Sequence, residues 1–215
     1  MAGLTQTLII YIASYLYGFS TEQLAILVVA QLVSLPFAPY IAKKFSVYFD
    51  KTKALTFTVL IAAVIAYTPI MMYLAGMFQP LAMSTKLILV FTCSGITQAF
   101  FVAYIVVLDS MLSDTIDEHE LATGRREEGL FFAARSFALK ASFGFGAFFA
   151  GIALEVIKFP KGASIANIPP EAFTNLAIFA GPVSLLLTLS TIMISRKYDL
   201  HQDKHIEIRK AIMAR

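Results

Sequence analysis

The residue that most needs a chemical explanation is a lysine inside an apolar segment. Lys140 lies ten residues into Leu130–Leu154, about 15 Å from the start of that segment if the segment is helical. This depth is near the centre of a bilayer core about 30 Å thick, where a side chain cannot easily reach water. A cation there costs roughly 2.5–3.5 kcal/mol, and ionisable residues in such places usually serve binding or transport. Lys140 is therefore a candidate binding residue; the alternative is a structural lysine bonded to carbonyls and serines.

The sequence offers no obvious counter-charge for this lysine. The other apolar segments contain no Asp or Glu, and the nearest acid, Asp109, belongs at the membrane boundary. The second cation of the segment, Arg135, lies about 7.5 Å from its start, so it can extend to the interface. It also lies about 140° around the helix from Lys140, so the two cations do not share one narrow face.

A stripe of small residues in the same segment predicts close helix packing. Ser142, Gly146 and Ala150 recur at every fourth position, and Gly144 and Gly151 expose further bare backbone. In lipid, helices associate through tight packing of such residues rather than through hydrophobic burial. We expect a neighbouring helix to cross here.

Two charged segments have opposite sign and could pair at one end of the molecule. The segment Asp109–Gly129 has a net charge of −4 from Ser113 onward, whereas Lys43–Lys53 has a net charge of +3. Ion pairs between these two loops would form a cytoplasmic gate; the alternative is a solvated linker, since exposed pairs contribute only about 0–1 kcal/mol each. The candidate gate residues are Asp114, Asp117, Glu120, Arg126, Lys43 and Lys44.

The composition of the chain is that of a membrane protein. Of its 215 residues, 58% are hydrophobic and 14% charged, against about 25% charged in soluble domains. This argues against a soluble enzyme, a disordered chain and a nucleic-acid-binding module. We predict an all-α integral membrane protein with six transmembrane helices in one domain, residues 1–215. The predicted spans are Leu4–Phe19, Gln23–Ala42, Ala54–Phe78, Leu87–Leu108, Leu130–Leu154 and Phe173–Ser195.

The distribution of basic residues predicts the orientation of these spans. Twelve Lys and Arg residues fall on one side, including six in the tail 196–215, and three fall on the other. Basic loops stay in the cytoplasm, so both termini are predicted to lie there, in a bacterial inner membrane. The first span has 16 residues and lacks the basic start of a signal peptide. A helix that has lost its first turns fits better, and we expect that Met1 is not the ancestral start.

No residue pattern predicts an enzyme, a metal site or a bound cofactor. Cys93 is the single cysteine, which excludes an internal disulfide and a cysteine-based zinc site. His119 has no second histidine at ligand spacing. No Ser/His/Asp arrangement, phosphate-binding loop or nucleotide fingerprint occurs.

The acidic segment and the helix after it resemble one transporter family. The family pattern is D-x-x-D-x-x-E, then T-G-x-R-x-E-G, then F-x-x-K and a glycine-rich helix. The chain is similar here to the glycoside–pentoside–hexuronide:cation symporters, the melibiose-carrier group of the major facilitator superfamily. Tyr15–Leu27 and Tyr198–Ile212 also look similar. The matching motif residues are Asp114, Asp117, Glu120, Thr123, Gly124, Arg126, Glu128, Gly129, Phe137, Lys140, Gly144 and Gly146.

The resemblance is to the second half of that family, helices seven to twelve. It implies a sodium- or proton-coupled sugar symporter that works by alternating access, with the sugar and cation beside Lys140. Arg135 and Ser136 match the cytoplasmic end of the same face. The cation-binding carboxylates of the family lie in the first half, so the resemblance implies that a missing six-helix half completes the site; a homodimer would restore a wall but not those carboxylates. Two alternatives stay open: a non-transporting membrane partner subunit, and a lipid or lysolipid transporter.

Overall fold

The computed structural model describes residues 2–157, 159 and 168–195, and its regular structure there is helical. No strand occurs in these ranges, which confirms the all-α prediction. Two short π-helical turns, at Ile12–Leu16 and Phe179–Val183, continue or connect the α-helices beside them. The helices are α1 (Ala2–Tyr11), α2 (Thr21–Ser34), α3 (Phe37–Tyr48), α4 (Lys51–Leu74), α5 (Met83–Thr123), α6 (Glu128–Val156), α7 (Pro170–Ile178) and α8 (Ser184–Ser195).

Several of these helices are suited to cross a membrane. In the described part of the chain, α4, α5, α6 and the stretch Pro170–Ser190 are long and apolar enough, and α2 with α3 adds a fifth crossing if counted as one broken span. The first predicted span contains the shorter apolar helix Gln6–Leu16, about 16 Å long. The membrane class is therefore confirmed, while length and composition give four or five crossings rather than six. The predicted cytoplasmic tail lies outside the described residues.

The second predicted span is broken at a proline. Ser20 and Gln23 form a capping box that starts α2, each side chain accepting a hydrogen bond from the other residue's backbone N–H. The helix stops before Leu35 and Pro36, because proline has no N–H to continue the hydrogen-bond ladder. The axis of α3 is bent by 48° from that of α2.

The helix α5 continues far beyond the predicted membrane span. It has 41 residues, about 61 Å, which is twice the thickness of a bilayer core. The expectation that Asp109–Gly129 is a loop is therefore wrong: residues up to Thr123 are helical, since no Gly or Pro interrupts them. Gly124 ends the helix with φ of +73°, and its N–H donates to the Glu120 carbonyl at 2.8 Å. We call Asp109–Thr123 the α5 extension.

The bundle is organised around α5 and around a crossing of α1 with α6. α2, α3 and α4 pack on α5, whereas α6 packs mainly on α1. Small residues let these helices approach closely, as is usual in lipid. The cluster between α3, α4 and α5 consists of Ala38, Ala42, Ala54, Leu55, Ala103, Val107 and Met111.

The predicted small-residue stripe does form a helix crossing, although only part of it takes part. A Cβ at Gly146 would overlap the backbone of Gly3 and Leu4, and Ala150 is fully buried. Gly144 and Gly151 instead face open space, with nothing within 4 Å of an added Cβ. The crossing therefore fixes α6 to α1 by one face, and no described residue covers the opposite face at Gly144 and Gly151.

Candidate functional site

Lys140 lies on the uncovered face of α6. Its side chain is exposed, and no described residue forms an ion pair or hydrogen bond with it. Ser136, one turn before it, is also exposed, and Gly144, one turn after it, borders open space. We call Ser136, Lys140 and Gly144 the Lys140 face. The carbonyls and hydroxyls expected to compensate the lysine are not supplied by the part of this chain that the structure describes.

This face cannot rest against hydrocarbon without a cost. A lysine at mid-depth costs roughly 2.5–3.5 kcal/mol when nothing polar compensates it. Lys140 lies twelve residues into α6, about 18 Å from the first turn, which is too deep for easy escape to the interface. The geometry therefore requires a polar partner or a water-filled cavity from outside these helices.

Arg135 has a partner that the sequence analysis did not assign. Its Nε lies 2.5 Å from Oδ1 of Asp109, so that the ion pair links α6 to the start of the α5 extension. Both atoms are shielded from solvent, and neither has a well-directed hydrogen bond to a described residue. The contact is thus an ion pair whose geometry does not meet that of a hydrogen bond. Asp109 lies far from Arg135 in the sequence, and only the fold shows that the two residues face each other.

The link between the two charged segments is made by a different lysine from those predicted. Nζ of Lys51, the first residue of α4, lies 2.6 and 2.8 Å from the two carboxylate oxygens of Asp114 and 3.4 Å from the Ser110 carbonyl. Asp114 is buried, with 4% of its surface exposed. The predicted gate lysines, Lys43 and Lys44, are exposed on α3 and pair with no carboxylate in the described ranges.

The remaining predicted gate residues pair within the acidic segment itself. Arg126 Nη1 contacts Asp117 at 3.2 Å and Glu120 at 2.8 Å, and its Nε contacts Glu128 at 3.3 Å. Hydrogen bonds to Glu120 and Glu128 raise the pKa of Arg126, with the nearby charges of Glu120 and Asp117 adding to the effect, so the guanidinium stays charged at any physiological pH. This cluster ties the end of α5 to the start of α6 instead of bridging to Lys43 or Lys44.

A second polar contact joins the two sides of this turn, and the sequence analysis did not predict it. His119 Nε2 lies 3.3 Å from a carboxylate oxygen of Glu127, and its ring meets that of Phe131 edge-on at 5.3 Å. The eight-residue separation gives no local signal, because His119 lies in α5 and Glu127 lies after the turn that ends α5, just before α6. Within the described residues no group of three or more His, Cys, Asp or Glu lies together as metal ligands.

An apolar cavity of about 560 Å³ lies on another side of α6. It is bounded by α1, α6 and the last helical stretch, with Leu4, Phe149 and Leu187 among its walls. Among the described residues that line it, Ser142 carries the one polar side chain. Lys140 is not part of the lining. A sugar needs several converging hydrogen-bonding groups, so this cavity is not suited to bind one.

The comparisons with known proteins agree with the membrane architecture. A family model described as "MFS/sugar transport protein" matches residues 1–202. An uncharacterized symporter of Synechocystis sp. is 27% identical to the chain over 129 residues, which are 59% of this chain and 23% of the relative. The alignment thus spans less than a quarter of that relative's length. No solved structure gives a significant match.

Proposed function

This chain belongs to the MFS/sugar transport protein family, and from that premise we propose that it forms one half of a sodium- or proton-coupled sugar symporter. Family membership supports a transporter rather than an enzyme. We infer the coupling to a cation and the sugar substrate from the resemblance to the glycoside–pentoside–hexuronide:cation symporters.

The observation that carries the proposal is the Lys140 face. It combines a deep cation, an exposed serine hydroxyl and a bare glycine on one face of a mainly apolar helix. Such a face is suited to one wall of a midplane binding site, because major facilitator transporters hold their substrate between two six-helix halves. The ammonium would donate to sugar hydroxyls and compensate a carboxylate across the cavity, while Ser136 supplies a further hydrogen bond.

The opposite wall must come from a second unit. The uncovered face of α6 is open to receive one, and the alignment leaves more than three quarters of the symporter relative without a counterpart in this chain. We propose that a six-helix unit bearing carboxylates covers the Lys140 face. A second copy of this chain would supply another wall, but its α6 would bring a second cation instead of an acid.

The ion pairs of the α5 extension would help one half of a transporter to move as a rigid body. Lys51 ties α4 to α5, Arg126 ties the end of α5 to the start of α6, and Arg135 ties α6 back to Asp109. During alternating access the two halves rock against each other, so each half must keep its own helices together. We assign these pairs to rigidity within the half, and we propose that they lie on the cytoplasmic side of a bacterial inner membrane, because basic residues are in excess on that side.

The two alternatives have different support. A lipid transporter would be favoured by an apolar cavity around Lys140, but the apolar cavity of α6 lies away from that residue. A non-transporting partner subunit would share every feature of the fold, and it differs only in what the assembled complex does. The sugar symporter is preferred because the family model that matches the chain is described as a sugar transport protein.

The experiment is uptake into proteoliposomes with the chain alone and with the chain joined to the first six helices of a symporter from this family. We expect cation-dependent uptake of galactosides, pentosides or glucuronides only in the completed form. Equal uptake by the chain alone would refute the half-transporter proposal. A completed, correctly inserted form that transports none of these sugars under a sodium or proton gradient would favour the non-transporting subunit.

A further inference from the structure

One helix face near the predicted cytoplasmic boundary is used by neither the site nor the ion-pair clusters. The helix α3 buries Ala38 and Ala42 against α5, with 0% and 3% of their surface exposed. On its outward side, Tyr40, Val47 and Tyr48 are 66–73% exposed. Large apolar and aromatic side chains thus point away from the bundle along the length of the helix.

Two lysines lie between these aromatic residues. Lys43 and Lys44 follow Tyr40 by three and four positions, which places them on the same side of the helix. Both are exposed, and no carboxylate in the described residues lies within ion-pair distance of either one. The other two lysines of the segment are engaged: Lys51 with Asp114, and Lys53 with Asp50 at 3.5 Å.

Their depth in the membrane follows from the length of the broken span. Thr21–Ser34 is about 21 Å long, and Phe37–Ala42 adds about 6 Å along the α2 axis after the 48° bend, so together they cross most of a bilayer core about 30 Å thick. Lys43 and Lys44 therefore emerge where the hydrocarbon ends and the headgroups begin. Tyrosines at this level anchor helices to the interface, and lysines extend their ammonium groups into the headgroup layer.

We propose that α3 carries a binding site for an anionic phospholipid of the cytoplasmic leaflet. The phosphate lies between the ammonium groups of Lys43 and Lys44, and the acyl chains run along Tyr40 towards the α2 side. Charge complementarity selects this occupant, because the cytoplasmic leaflet is rich in anionic lipid and it meets, at headgroup depth, two lysines that pair with no carboxylate of the described residues. The proposal rests on the orientation proposed above and does not depend on transport.

The test measures which lipids stay bound. The full chain is reconstituted in vesicles of equal phosphatidylcholine and phosphatidylglycerol and then extracted into mild detergent, and the retained lipids are quantified by mass spectrometry. The variant is Lys43→Gln with Lys44→Gln. The matched control is Lys53→Gln with Arg125→Gln, which removes the same net charge from two other exposed positions. A third variant, Lys43→Arg with Lys44→Arg, keeps both cations.

We expect the preference for phosphatidylglycerol to fall by up to about thirtyfold in the first variant, to change less than twofold in the control, and to persist in the arginine variant. An equal fall in variant and control would reduce the effect to net charge and overturn the site. An unchanged preference in the first variant would also overturn it, and would indicate that the face docks a protein unit instead. Because the vesicles are symmetric, an inverted orientation would leave this result intact and would show up separately in labelling of the two sides.

Discussion

Removing Lys51 should destabilise the helical bundle more than removing any exposed lysine. Its ammonium contacts both oxygens of the Asp114 carboxylate, whose side chain is 6% exposed. Losing one partner of a buried pair costs about 3–5 kcal/mol, because the remaining charge stays desolvated. The Lys51 side chain is 27% exposed, so water can replace part of the interaction. We therefore expect Lys51→Met to lower the free energy of unfolding by about 2–3 kcal/mol.

The matched control is two residues further along the same helix. Lys53 lies 3.5 Å from Asp50, and these side chains are 67% and 44% exposed. An exposed pair of this kind contributes about 0–1 kcal/mol. Lys53→Met changes the same residue type and the same net charge, so a difference between the two variants isolates the buried pair.

The assay follows thermal unfolding in mild detergent with a thiol-reactive fluorophore. Cys93 is the single cysteine and is half-buried on α5, so its labelling rises when the bundle opens. At about 2–4 °C per kcal/mol for a chain of this size, Lys51→Met should lower the Tm by about 4–12 °C. The reasoning is refuted if Lys51→Met and Lys53→Met lower the Tm equally.

Two further predictions concern orientation and helix packing. Cysteines introduced at Ser113 and Ser84, near opposite ends of α5, should label from the cytoplasmic and outer sides respectively in a cysteine-free background; labelling of Ser113→Cys from outside would invert the proposed topology. Gly146→Ala should destabilise the unit by about 1–3 kcal/mol, because its Cβ would overlap the α1 backbone, whereas Gly144→Ala should be neutral in thermal unfolding because it faces open space. Equal effects of the two glycine substitutions would contradict the α1–α6 crossing.

Much of the fold is encoded in local features of the sequence. Runs of apolar residues predict the membrane helices, and Pro36 marks the break in the second span. The α5 extension shows where this reasoning failed. Its acidic residues suggest a loop, yet the absence of Gly and Pro from Asp109 to Thr123 and the i, i+3 spacing of Asp114 and Asp117 are signals of a helix. Charged residues are mostly exposed in proteins, whereas Asp114 in this segment is buried.

The partners of the charged residues could not be predicted in the same way. Lys51 and Lys43 are eight residues apart and have the same chemistry, and only the packing of α4 on α5 places Lys51 beside Asp114. The pair of Arg135 with Asp109 likewise depends on how α6 sits against α5. Sequence spacing defines neighbours within one helix, whereas contacts between helices depend on crossings that residues such as Gly146 determine.

The most direct test of the account is cation-coupled sugar uptake by the completed transporter with Lys140 replaced. Lys140→Ala should abolish coupled uptake while membrane insertion remains intact, because removing a charge from the depth of the bilayer core favours insertion. Lys140→Arg should restore uptake only in part, since a planar guanidinium cannot replace a compact ammonium. Lys86→Ala, near the outer end of α5, is the matched control and should transport normally. Normal cation-coupled uptake by Lys140→Ala would contradict the assignment of the Lys140 face as a wall of the binding site.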